Sequence, residues 1–140
     1  VHHPGRVARL VLSNTAARIG SAESWEARIA AVREGGMAAI AEAVIGRFFG
    51  PAFRAAHPEQ VGRLAETLLR TDPAGYRACC AALRDADMRP LVAGIGAPTL
   101  VIAGSLDEAT TPAQAAELHA AVRGSELAVL EGAAHLANVE

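Results

Sequence analysis

The chain reads as an α/β domain in which a parallel sheet is interrupted by an all-helical insertion. Three observations carry that expectation. Residues 7–12, 99–103 and 127–130 are short, nearly continuous apolar runs with turn residues beside them, the pattern of parallel strands covered on both faces. The last two flank a helical stretch, and a strand–helix–strand crossover forces parallel neighbours with their carboxyl ends on one edge. Between the first two lie four helical patterns and no strand. The boundaries expected are 1–20 and 91–140 for the sheet core and 21–90 for the insertion.

After the first strand, Ser21 or Ser24 opens a helix that runs through Val32 and stops at Gly35-Gly36. Residues 37–49 form a second, with Ile40, Val44, Ile45 and Phe48 at helical spacing and Gly50-Pro51 as its end. His57-Pro58 opens a third, striped by Val61, Leu64, Ala65 and Leu68, and Thr71-Asp72-Pro73 opens a fourth that reaches about Arg84. Pro98 and Gly104 bound the second strand. Thr111 is placed to cap the next helix, with Pro112 at its first position and residues 113–122 as its body. Arg123-Gly124 stops it before the third strand.

At 140 residues and 14.4 kDa the chain is long enough to bury a core. With 51% hydrophobic and 20% charged residues, it belongs neither with disordered nor with fibrous chains. Its net charge of −2 gives no broad pull toward nucleic acid. No apolar run approaches the roughly 20 residues of a membrane-spanning helix, so no membrane partner is expected. Cys79 and Cys80 are sequence neighbours and make a poor disulfide framework, which points to a reducing cytoplasm. Every basic residue is Arg and none is Lys, a pattern read as codon bias. The chain opens at Val1 with no signal-peptide pattern, as a piece of a longer protein would.

Two side chains carry the chemistry. Asp107 follows the second strand by a few residues and His135 follows the third, one crossover apart. Open α/β sheets bind ligands beyond the carboxyl ends of their strands. A carboxylate there can accept the imidazole Nδ1 proton and fix the ring so that its other nitrogen works as a general base. Each residue alone also fits a plainer role, Asp107 as a turn cap and His135 as a hydrated loop histidine. No glycine-rich phosphate loop, metal-ligand cluster or basic–aromatic strip is present, so no cofactor and no metal are expected. His2-His3 lacks further ligands at usable spacing and reads as a helix ending before Pro4, and His119 reads as a surface residue of the crossover helix.

The stretches His2-His3-Pro4-Gly5-Arg6-Val7-Ala8-Arg9-Leu10-Val11-Leu12, Pro98-Thr99-Leu100-Val101-Ile102-Ala103-Gly104 and Gly132-Ala133-Ala134-His135 resemble the carboxyl-terminal half of the α/β-hydrolases. Leu12-Ser13-Asn14-Thr15-Ala16-Ala17-Arg18-Ile19-Gly20, Trp25-Glu26-Ala27-Arg28-Ile29 and the run from Gly75 to Asp87 are similar, more narrowly, to the 3-oxoadipate enol-lactonase family. The resemblance implies an α/β-hydrolase sheet with the helical insertion as its lid, or cap. It implies a small-molecule lactone or ester substrate, with Asp107 and His135 as the acid and base of a Ser-His-Asp triad. The substrate implied carries a carboxylate, for which Arg28 is the candidate partner, with Trp25 one turn away walling the pocket; Arg18 and Arg47 are weaker candidates. On the plainer reading, Trp25 is helical core and Arg28 a solvated face.

The departure from the family is the nucleophile. Ser13, Ser21, Ser24, Ser105 and Ser125 all lie outside a Gly-x-Ser-x-Gly elbow. Cys79 and Cys80 read as packing residues. The amino-terminal half of the hydrolase is therefore an expected partner, and the 140 residues alone are expected to be inactive. Other hydrolases on the same framework (carboxylesterase, dehalogenase, carbon–carbon hydrolase) and a non-catalytic binding module remain as alternatives.

Overall fold

A computed structural model describes residues 2–140; Val1, at which the reading of a missing initiator starts, lies outside them. The fold is α/β, and the chain divides into two compact units, residues 2–18 with Asp87–Glu140 and residues Ile19–Ala86. In the first unit, β1 (Leu10–Ser13), β2 (Thr99–Gly104) and β3 (Glu126–Leu130) form a parallel sheet in the order β1-β2-β3. The helical unit contains α1 (Ala22–Gly35), α2 (Ala38–Phe48), α3 (Pro51–Ala56), α4 (Pro58–Leu69) and α5 (Pro73–Asp85). The short α6 (Arg89–Val92) precedes β2, and α7 (Pro112–Ala121) is the crossover between β2 and β3.

Register sets the core of the sheet unit. Leu12 pairs with Val101 and Val101 with Leu127, so the three side chains form one row across the sheet. That row packs with Val92 of α6, with Ala115 and Leu118 of α7, and with Val122. Val101 is fully buried at its centre. The crossover helix starts where Thr111 and Gln114 cap each other: Thr111 Oγ1 accepts from Gln114 N, and Gln114 Oε1 accepts from Thr111 N at 3.0 Å.

Both faces of the strands were expected to be covered; among the described residues the cover is unequal. The α6 and α7 side chains share a single face, while Val11 on the other is 59% exposed and β1 alternates along its length. The first strand also starts at Leu10 rather than at residue 7. A 3₁₀ turn at Pro4–Arg6 takes up the Val7 N–H, and Leu10 N donates to Pro98 O, just before β2. His2 and His3 precede that turn.

In the helical unit, Val32, Met37, Ile40 and Val44 form the core, with Phe48, Leu68 and Tyr76 against it. Ser21 and Ser24 cap α1 reciprocally, and Asp72 caps α5 by accepting from Gly75 N at 2.6 Å. The insertion holds five helices, not four. Gly50 stays extended and Pro51 suits a first helical position, so the pair that ends α2 also begins α3. Phe53 of α3 stacks on Phe49 with centroids 5.4 Å apart and lies 4.5 Å from the His57 ring.

Removing two methyl groups at Val101 leaves a void that the paired strands cannot close. Val101→Ala is expected to lower unfolding stability by about 2 kcal/mol, read as a lower urea midpoint at unchanged slope.

Candidate functional site

The three parallel strands end on one edge, and the site is built from their three exits. Beyond β2 the chain turns through Ser105 and Leu106 into Asp107; beyond β3 it runs through Gly132 to His135. Two backbone bonds clamp these loops together, Ser105 N to Leu130 O at 3.0 Å and Leu106 N to Ala133 O at 2.9 Å. Gly132 N adds a bond to Ser105 Oγ at 2.9 Å. Such closeness requires Gly104: a Cβ there would stand 2.3 Å from the Ala134 carbonyl oxygen and 2.4 Å from that of Ala133.

The clamp delivers the acid to the base. Asp107 Oδ2 lies 2.9 Å from His135 Nδ1. The carboxylate is 2% exposed and wrapped in donors. Its Oδ1 accepts from the amides of Ala109 (2.8 Å) and Thr110 (2.9 Å), a local turn that orients the group. Its Oδ2 accepts from Thr110 Oγ1 (2.8 Å) and from Asn14 Nδ2 (3.1 Å) besides the imidazole. Burial by itself would raise the Asp107 pKa. The hydrogen bonds from His135, the Thr110 amide, Asn14 and the Thr110 hydroxyl outweigh it and hold the carboxyl well below the usual carboxylate range.

An anionic Asp107 only accepts, so His135 Nδ1 carries the proton between them. Nε2 of the neutral ring then holds the basic lone pair, and the carboxylate stabilises the imidazolium once that nitrogen is protonated. The ring is 22% exposed. The arrangement can accept a proton, hold it and return it.

Two partners of the carboxylate went unread in the sequence. Asn14 stands one residue past β1 in the left-handed region (φ 49°), and the signal was an Asn at the third strand exit of the same edge. For Thr110 the signal is its position three residues after Asp107, that of a turn donor.

Trp25 and Arg28 lie in the helical unit, and the structure brings them onto each other. The Arg28 guanidinium carbon is 5.2 Å from the Trp25 ring centroid. Trp25 is buried, and its indole N–H donates to Ile19 O at 2.6 Å, which matches the core reading of that residue. Arg28 is half-buried, not on a fully solvated face; burial pushes the neighbouring Tyr76 hydroxyl up and the Arg28 charge draws it back down. Arg18 is paired with Asp87 at 3.5 Å, and Arg47 Nε donates to the Ala43 carbonyl. Cys80 is buried as expected, but Cys79 is exposed. His119 is only partly exposed, with Nδ1 2.8 Å from Ser125 Oγ.

No family model matches the chain. It is 43% identical over 140 residues to 3-oxoadipate enol-lactonase 2 of Acinetobacter baylyi, covering all of this chain and 52% of that protein. The crystal structure of the enol-lactonase from Burkholderia xenovorans LB400 superposes with a TM-score of 0.95 at 41% identity, over 98% of this chain and 52% of that one. A thermophilic esterase from Thermogutta terrifontis superposes at 0.86 with 28% identity, over 96% and 51%. The chain thus spans about half the length of the curated relatives it matches.

The Asp107 value in the folded chain lies below its unfolded value. Its charge therefore stabilises the fold in full above about pH 5, and that contribution disappears as pH falls through the depressed folded value. Asp107→Ala strands buried donors and is expected to cost on the order of 3 kcal/mol at pH 7. In chemical denaturation, the gap between wild type and variant should narrow toward acid pH; a constant gap would contradict the stabilised carboxylate.

Proposed function

We propose that this chain, which has the α/β-hydrolase fold and is similar from end to end to 3-oxoadipate enol-lactonases, supplies the acid and the base of a Ser-His-Asp hydrolase. The observation that carries the reading is the 2.9 Å contact between a buried, anionic Asp107 and His135 at the exits of adjacent parallel strands. The substrate assigned is 3-oxoadipate enol-lactone, after the 43% identical 3-oxoadipate enol-lactonase 2; the 41% identical Burkholderia protein is an enol-lactonase. The serine is assigned to the part of the relatives that this chain does not span, since none of its own five serines stands in a nucleophile elbow.

In this mechanism His135 Nε2 takes the hydroxyl proton as the serine attacks the lactone carbonyl. The tetrahedral intermediate collapses by breaking the ring C–O bond, and the imidazolium returns the proton to the departing enol oxygen. His135 then draws a proton from water as it attacks the acyl-serine, and the imidazolium returns that proton to the departing serine oxygen as the C–O bond breaks and the acid is released. The freed enol tautomerises to the ketone of 3-oxoadipate. Asp107 holds the Nδ1 proton throughout and stays ionised. Because the leaving oxygen is tethered to the acyl group, ring opening yields a single product molecule.

The stretch 21–90 corresponds in this reading to the cap of the family. Arg28, braced over Trp25, is the guanidinium assigned to the substrate carboxylate. The location assigned is the cytoplasm, with aromatic-compound breakdown through the β-ketoadipate pathway as the setting.

Three outcomes are expected. The 140-residue chain alone should give no turnover of the enol-lactone. In the serine-bearing protein, Asp107→Asn and His135→Ala should each lower kcat by about 10⁴. Arg28→Gln should raise KM about tenfold with little change in kcat. A serine-bearing protein that turns over simple esters faster than the enol-lactone would overturn the substrate assignment.

A further inference from the structure

Asn14 spends both hydrogens of its side-chain amide on the acid–base pair. Nδ2 donates to Asp107 Oδ2 at 3.1 Å, the same oxygen that meets His135 Nδ1, and to the carbonyl of Ala134 at 3.1 Å, the residue bonded to His135. Both partners only accept, so the nitrogen must face them, and Oδ1 is fixed on the other side by Ser13 Oγ at 2.9 Å. The backbone is equally constrained: Asn14 N donates to Ile102 O at 2.9 Å, and φ is 49°. Asn is among the few residues that tolerate that conformation.

We infer that Asn14 is a positioning residue that sets the distance and the charge balance between Asp107 and His135 by holding the acid and the base-bearing loop with one amide group. The inference rests on the acid–base reading above. Two consequences follow from the contacts. The carboxylate cannot swing away from the ring while Asn14 and Thr110 hold Oδ2. The amide also draws off part of the negative charge of Oδ2, leaving less of it to stabilise imidazolium. Asp107 meets the ring itself, and the Glu140 carboxylate accepts the N–H of Ala134, the residue before His135; neither is removed when Asn14 is replaced.

The test follows the His135 ring by NMR across pH in the full chain. Asn14→Gly keeps the left-handed backbone and deletes only the amide; with Thr110 still holding Oδ2, the charge returned to that oxygen should move the midpoint of the ring's pH profile to higher pH. Asn14→Asp puts acceptors where donors stood and adds a charge; it should move the midpoint further in the same direction. Val101→Ala, a core variant that loosens the unit without touching the site, should leave the titration where it is. If both Asn14 variants titrate as wild type, or if Val101→Ala moves the curve as far as Asn14→Gly, the inference is overturned. Asp107→Asn is the separate control: it should move the midpoint of the ring's pH profile to lower pH, and no response there would sink the acid–base reading itself rather than the role of Asn14.

Discussion

A carboxylate taken out of water must be met by donors or surrender its charge, and the sheet unit is organised around meeting that demand at Asp107. Five donors reach it, from its own turn, from Asn14 and from the His135 ring. They come from the exits of all three strands. The parallel arrangement is what makes this possible, since antiparallel neighbours would send alternate exits to opposite edges. Fold and chemistry are coupled here through one oxygen pair.

The backbone cooperates at Gly104. Its missing Cβ admits the carbonyls of Ala133 and Ala134, and that proximity brings the two loops within reach of each other. A residue without a functional group thereby fixes the approach of two that have them. The apolar row Leu12–Val101–Leu127 plays the complementary part from below, holding the strands in register so that their ends coincide.

The second unit follows a simpler logic. Capping side chains at Ser21 and Asp72, glycine and proline stops, and apolar stripes at helical spacing account for its long helices. Its short helix α3 was not legible because Gly50-Pro51 reads as punctuation, and a proline that ends one helix can also start the next. Trp25 and Arg28 satisfy one another and the Ile19 carbonyl within this unit.

Local chemistry written in the chain was enough to determine the parallel strands, the crossover helix with its Thr111 cap, and Asp107 and His135 as residues that follow adjacent strands. Those features depend on periodicity, capping and the handedness of a crossover, all of which act over a few neighbouring residues. The tertiary structure alone decided that the Asp107 carboxylate is held anionic, and that Asn14 and Thr110 belong to its surroundings. These rest on contacts between residues as far apart as Asn14 and Asp107 or Gly104 and Ala134, and no spacing along a chain records which distant donors will converge on one buried oxygen.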